Sequence, residues 1–498
     1  MEDDNIHCGR ETEPLIKDGG DHNIVPGSQQ KMQIRRLFLV SLILFLHGGS
    51  GAIHSPLMSQ YLYLRYSEEY FPNSTFPERK TSHSECVANS TAMESNLQKE
   101  VQREATNLNM QLTLATSIPA IFTNLFLGAY SDYFGRRFLF MTMMVGRLTR
   151  DLTTVAIIVW NLDLHYFFIG YGADGLCGSS FTFYLAGYAY TADITPPAKV
   201  RTVALAVVDA ARGIADISLH IATGYLIKMY GYLYPSVGMA AMTLLDFLVV
   251  VTLLPETVKR SGTCISPITA IKNVFGFYFR KTSTGNRDLF WICIIVFLFN
   301  MIDKHGTVNI ENLYMLSPPF CWDSVRLGLY GALKDGVYYF SSVVIIKALH
   351  VCTTDGVVGI IGFMSAAASK LIEGLAFVDW MLYLVPVVGV ASSAISPALR
   401  AILSRMVPAE EQGAIFTSMS VVEAVCDAVG STALNVVYEA TLSVMRGAAF
   451  LIMAASKIVA IVLLTVFVFK TRSRVVPPKD NLCVQGRDDQ GISDEEQQ

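Results

Sequence analysis

The sequence predicts an all-α membrane protein: twelve transmembrane helices arranged as two pseudosymmetric six-helix bundles. Three observations predict it. The 498 residues are 52% hydrophobic and only 16% charged, whereas soluble proteins carry about 25% charged residues. The charge that is present gathers at the two tails and in a few loops, leaving long apolar runs for which lipid is the natural solvent. The apolar runs fall into two sets of six, divided by a polar segment at 256–288 rich in Lys, Arg, Ser and Thr.

A spanning helix needs about 20 mostly apolar residues. The first set of spans lies near 37–58, 109–129, 137–160, 164–192, 202–227 and 236–255, and the second near 289–310, 326–347, 355–375, 377–399, 412–438 and 447–470. The second, fifth, eighth and ninth are individually weak because they carry ionisable residues. The chain then divides into an N-tail (1–36), an N-terminal bundle (37–255) with a long outside loop (59–108), a linker (256–288), a C-terminal bundle (289–470) and a C-tail (471–498). Six plus six around a central loop is the shape of a duplicated membrane fold.

Lys and Arg set the expected orientation. With both termini inside, the cytoplasmic flanks hold Lys31, Arg35, Arg36, Arg136, Arg137, Lys199, Arg201, Lys259, Arg260, Arg405, Lys470, Arg472 and Arg474. The short outside loops hold almost none, Lys228 and Arg446 excepted. The two glycosylation sequons, at Asn73 and Asn89, both fall in the long first outside loop. Of nine cysteines, only Cys86 and Cys321 fall on the oxidising side. We expect them to pair; two unrelated thiols is the alternative. The first 30 residues are polar and acidic, so the first apolar run reads as a start-transfer helix and not a cleaved leader. A net charge of −4 gives no sign of a nucleic-acid partner. No phosphate-binding Gly loop, zinc-protease motif or nucleophile elbow is present, so an enzyme is not expected, and no cofactor or metal is called for.

The most specific local signal is Gly128-Ala-Tyr-Ser-Asp132-Tyr-Phe-Gly135-Arg136-Arg137, between the second and third spans. It resembles the loop signature of the major facilitator superfamily. The chemistry suits a cytoplasmic gate. Gly128 and Gly135 permit close helix approach and a tight turn, Asp132 can accept from a helix N-terminus, and Arg136 can pair with an acid across a closed face. Positive-inside anchoring explains Arg136 and Arg137 but not the Asp and two glycines. Further segments narrow the resemblance: Ser55 to Arg65, Ser84-Glu-Cys86, Leu313 to Ser324, and Pro397 to Arg405 leading into Glu411 to Phe416. Together these are similar to the proton-coupled folate transporter family (solute carrier family 46), over about residues 37 to 470. The run Lys99-Glu-Val-Gln-Arg103 looks closest to its lysosomal branch.

That resemblance implies a transporter, a glycosylated first loop and a Cys86–Cys321 disulfide. It also assigns roles. Asp209 matches an acid linked to proton coupling, a Glu in the folate branch. Arg400 matches an intramembrane arginine tied to substrate and proton binding, and Asp174 and Tyr339 match further functional positions. The functional His of the folate branch falls here at Lys304, with His305 beside it, about 100° further round the helix.

Physics points to the same places. An ionisable group at mid-bilayer is costly unless it faces a polar interior, so each is a site candidate. Asp209, Arg212, Asp216 and His220 form a stripe at helical spacing, and Glu423 sits in Val-Val-Glu-Ala, echoing Val-Val-Asp-Ala around Asp209. Arg400 reads as a partner for a substrate carboxylate or as one side of a static bridge. Lys334–Asp335 and Lys370–Glu373 read as structural pairs. Arg147, Arg150 and Asp151 leave two readings open, a gate network or pore charges. In the N-tail, Glu11-Thr-Glu-Pro-Leu15-Ile16 resembles an acidic dileucine sorting signal that adaptors could read, and a plain solvated tail is the alternative.

The expected function is symport of a small organic anion or conjugated metabolite, with H+ as coupling ion, in the plasma or lysosomal membrane. The partners are then that solute and the lipid bilayer. Uncoupled facilitated diffusion and a non-transporting receptor on the same fold are the alternatives.

Overall fold

The computed structural model describes residues 27–70, 92–195, 199–257, 287–406, 412–442 and 444–475. These build fourteen α-helices: α1 (Gly27–Tyr70), α2 (Ala92–Phe134), α3 (Arg136–Trp160), α4 (Phe167–Leu176), α5 (Ser179–Ile194), α6 (Lys199–Tyr230), α7 (Leu233–Leu253), α8 (Arg287–Leu316), α9 (Ser324–Cys352), α10 (Asp355–Gly374), α11 (Asp379–Val388), α12 (Ile395–Arg405), α13 (Gln412–Thr441) and α14 (Ala448–Val475). Since α4 with α5, and α11 with α12, each make one crossing, the fourteen helices form twelve spans. Helix is the expected form, because a crossing segment must satisfy its backbone groups internally.

Eight spans are long and apolar enough to be recognised by hydropathy alone. The other four are the third, fourth, fifth and eighth. The fifth and eighth were expected to be weak. The second and ninth pass after all. The third fails because it carries Arg147, Arg150 and Asp151, and the fourth because it is broken. The segment expected as an outside loop, 59–108, is helical to Tyr70 and again from Ala92.

Both breaks occur in counterpart spans, the fourth and the tenth. In the fourth, Gly178 adopts φ +98° between α4 and α5, and a Cβ there would lie 2.4 Å from the Thr182 hydroxyl. In the tenth, a 3-10 turn over Val390–Ala394 separates α11 from α12. Side chains of α10 brace the broken segment. Ser369 donates to the Val385 carbonyl (2.9 Å), and Ser365 donates to the Val388 carbonyl (2.6 Å) while accepting from the Ala391 N–H (3.2 Å). Irregular backbone at membrane depth survives only where protein or a cavity receives it, and broken spans in matching positions of two halves commonly mark the binding region.

Each half has its own apolar core, for example Phe140, Phe183, Tyr190 and Val250 in one and Phe297, Phe363, Leu399 and Leu464 in the other. Phe122, Trp160, Ile169, Phe340, Trp380 and Phe469 are exposed, as a lipid-facing surface requires. The halves meet along two seams, α2 against α13 and α6 against α9. Adding six to each span number exchanges the seams, the signature of a duplicated architecture.

Candidate functional site

We call the end of the bundle where α1 starts and α14 finishes the tail end, and the opposite end the far end. The hydrogen bonds and ion pairs described between the halves lie at mid-depth or towards the far end. Gln102 of α2 places its amide nitrogen 3.2 Å from the Leu313 carbonyl, 3.1 Å from the Ser317 hydroxyl and 2.5 Å from the Tyr438 hydroxyl. Arg103 pairs with Glu439 at 2.6 Å, and Lys228 with Asp323 at 3.1 Å. The Lys99 to Arg103 run is thus part of the far-end closure.

Along the α6–α9 seam the backbones touch. A Cβ on Gly224 would lie 2.5 Å from the Ser324 carbonyl oxygen, and one on Gly328 would lie 2.4 Å from that of His220. Small residues let membrane helices approach this closely. Polar groups of the predicted α6 stripe fill the rest of the seam. His220 Nδ1 is 2.8 Å from the Asp216 carbonyl and 3.2 Å from Asp335, and the Tyr339 hydroxyl donates to Asp216 at 2.7 Å. Tyr339 also packs its ring against Gly213. Lys334 and Asp335 are therefore not partners of each other. A neighbouring pair on a helix diverges by about 100°, so Asp335 turns to His220 in the other half and Lys334 to Glu311 in its own. The expected Lys370–Glu373 pair forms, at 2.8 Å.

At the tail end, Gly135 adopts φ +89° and begins α3. Glu256, just past α7, caps that helix: its carboxylate accepts from the Arg136 N–H (2.9 Å) and the Arg137 N–H (3.1 Å). A Cβ on Gly135 would lie 2.4 Å from the same carboxylate. The Arg136 guanidinium pairs with Asp193 at 3.2 Å, within its own half, and Arg137 donates to the Val251 carbonyl. The surroundings of Gly128 and the side chain of Asp132 lie outside what the structure describes. So do Asn73, Asn89, Cys86, Glu11, Leu15 and Ile16. Cys321 is disulfide-bonded.

The third-span charges are packed away from solvent in this conformation. Arg147, Arg150, Asp151 and Asp174 are all buried inside the N-terminal half. Arg150 pairs with Asp174 at 2.7 Å and with Asp151 at 3.5 Å. Asp151 accepts from Thr243 (2.7 Å) and from Ser50 (3.4 Å), and Arg147 donates to Ser180 at 3.2 Å. The network ties α1, α3, α4, α5 and α7 together. Removing one partner of a buried pair costs roughly 3–5 kcal/mol, because the other charge is stranded. Asp174→Ala is therefore expected to lower the melting temperature of purified protein sharply while leaving the KM of the folded fraction unchanged. A stable variant with an altered KM would assign Asp174 to the solute path instead.

Mid-depth polar groups gather where the halves face each other. In the N-terminal half, Asp209 accepts a 2.7 Å bond from the Tyr188 hydroxyl and lies within electrostatic reach of Arg400 across the gap. In the C-terminal half, Arg400 of α12 pairs with Glu423 of α13 and keeps 39% of its side chain exposed. One turn further along α13, Asp427 sits 3.3 Å from His305 Nδ1 and accepts from Ser117 of the other half at 2.5 Å. The Phe181 ring lies 5.6 Å from the His305 ring. Asp303 points elsewhere, to Lys457 at 2.8 Å. Lys304 is exposed and shares a helix face with Asn300 and Glu311, whose partners are Ser396 and Lys334. Its ammonium therefore points to the inner side of the C-terminal half.

The structure thus brings Arg400, Glu423, His305 and Lys304 into one half, sets Asp209 opposite, puts Tyr339 in the seam and locks Asp174 away. Sequence reasoning missed Asp427 and Glu311. Asp427 was detectable, since its spacing of four from Glu423 puts both on one helix face. Glu311 gave no signal, because it stands near a span end where acids are unremarkable.

Two matched six-helix halves, joined by exchangeable seams and carrying charges at mid-depth between them, define a secondary transporter that works by alternating access. The chain belongs to the Major Facilitator Superfamily, whose family model matches residues 40–431. It is 25% identical over 429 residues to the lysosomal proton-coupled steroid conjugate and bile acid symporter SLC46A3 of Gallus gallus, covering 85% of this chain and 92% of that one. It is 27% identical over 418 residues to the proton-coupled folate transporter of Bos taurus, covering 83% and 88%. Among solved structures, the human organic anion transporter MFSD10 (TETRAN) superposes with a TM-score of 0.62 at 15% identity, over 87% of this chain and 99% of that one.

Proposed function

We propose that this transporter is a proton-coupled symporter of organic anions, with both tails cytoplasmic and its far end facing the outside or a lysosomal lumen. One observation carries the reading. A single face of α13 holds two acids a turn apart, and one engages a partly exposed arginine while the other engages a histidine at the boundary of the halves. An arriving carboxylate, sulfate or phosphate competes with Glu423 for Arg400. The displaced Glu423 is then left without its cationic partner, a costly state for a charge at membrane depth. Proton uptake there, at Asp427–His305 or at Asp209 then keeps the charge of the loaded cavity low. Low charge eases the movement of one half past the other. Lys304 adds a second positive group to the same inner face.

The names of the curated relatives support steroid conjugates, bile acids and folates as the first solutes to try. In proteoliposomes, uptake of a transported member of that set is expected to rise several-fold when the outer medium is made acidic. The sign follows from loading: a proton bound from the acidic side accompanies the anion inward. Asp209→Asn is expected to flatten this dependence. Uptake indifferent to the pH gradient would favour uncoupled facilitated diffusion, and binding without flux would favour a receptor.

A further inference from the structure

The broken tenth span leaves a pocket of about 140 Å³ inside the C-terminal half. Gly389, Val390, Ser392 and Ser393 of the break form one wall, and Lys334 and Tyr338 of α9 form the facing one. Val337, Val385 and Pro386 supply an apolar side. Nothing in the transport scheme above uses this space.

Its lining is rich in N–H donors. Glu311, the acid lining it, already has both oxygens engaged: one accepts from the Tyr330 hydroxyl at 3.0 Å and the other from Lys334. Lys334 has three N–H donors and spends one on Glu311, and 43% of its side chain is exposed. Lys370, also in the lining, spends one N–H on Glu373. The two ammonium groups, which can only donate, thus keep spare N–H donors beside an apolar wall. Spare donors select an acceptor-rich group, and an ammonium selects a negative one. Along the chain, Ser392 and Arg400 are eight residues apart, roughly 12 Å at helical rise.

We propose that this pocket is a second anion subsite, in which Lys334 takes a carboxylate or sulfate while the wall at Val385 and Pro386 holds the apolar body of the same solute, which reaches towards Arg400. The transported class is then an elongated amphipathic anion. The proposal rests on the organic-anion reading above and adds to it a place and a length.

The test crosses the charge of the residue with the charge of the ligand. Binding of a steroid sulfate and of its uncharged parent steroid is measured on full-length purified protein by thermal shift and by equilibrium binding. Lys334→Ala is expected to weaken the sulfate about tenfold or more, as loss of a charged hydrogen bond does, and to leave the parent steroid unchanged. Lys334→Arg is expected to hold the sulfate within about threefold, because charge and donors are kept. Lys334→Ala strands Glu311, so the double variant Lys334→Met with Glu311→Gln removes the pair without leaving a lone charge, and it is expected to show the same selective loss. Equal weakening of sulfate and parent, or no weakening of either, would overturn the subsite alone. Wild-type protein that binds neither the sulfate, a bile acid nor a folate would overturn the organic-anion reading and the subsite with it.

Discussion

Arg400→Ala is expected to reduce solute uptake by about thirtyfold or more, because an ionic contact to a bound anion is worth roughly 2–5 kcal/mol. The loss alone does not separate a substrate role from a static bridge, since Arg400 already holds Glu423. A second variant separates them. If the bridge only braces α12 against α13, then Arg400→Gln combined with Glu423→Gln removes both charges together, leaves a neutral pair and restores most of the uptake. If Arg400 receives the anion, that double variant stays inactive although it folds. Recovery above half of wild-type uptake in the double variant would reduce Arg400 to a brace and remove the competition on which proton coupling is built here.

Gly328→Leu is expected to lower turnover about tenfold or more by a different route. Its Cβ would meet the His220 carbonyl oxygen at 2.4 Å, with the Gly224 backbone at 3.2 Å, and the backbone of α6 cannot give way as a flexible side chain would. Overpacking of this kind costs about 1–3 kcal/mol, and every 1.4 kcal/mol is tenfold in population. The cost falls only on conformations in which α6 and α9 touch at the far end. The variant is therefore held open there, and uptake falls about tenfold or more in proportion. Gly328→Ala is expected to show a smaller effect of the same sign. A thiol reporter at Gln102, on the other seam, reads the shift directly: its labelling from the far side rises in the Gly328→Leu background. Unchanged labelling together with normal uptake would mean that the seam is not a moving part.

Individual residues show how far a sequence reaches into such a site. The stripe Asp209, Arg212, Asp216 and His220 was legible from spacing, and its far-end members do meet the other half. Asp174 and Asp209 looked alike as intramembrane acids, yet one is sealed against Arg150 and the other is bound by a tyrosine at the gap. Lys334 beside Asp335 looked like a pair, and each found a different partner. The break in the tenth span was foreshadowed only by Pro386, Gly389 and the run of serines, and the pocket behind it not at all.

What the sequence determined by itself was the class of the molecule. Lipid compatibility is a sum over about 20 adjacent residues, so a helical membrane protein with two sets of spans can be read locally, even though single spans such as the third and fourth fail on hydropathy alone. What the tertiary structure decided was the fate of each charge. The partner of Gln102 stands 336 residues away at Tyr438, and that of Lys334 depends on how far α8 and α9 are rotated about their own axes. Those rotations are set by packing between helices, which no local window contains, and they separate a buried brace from a group that a solute can reach.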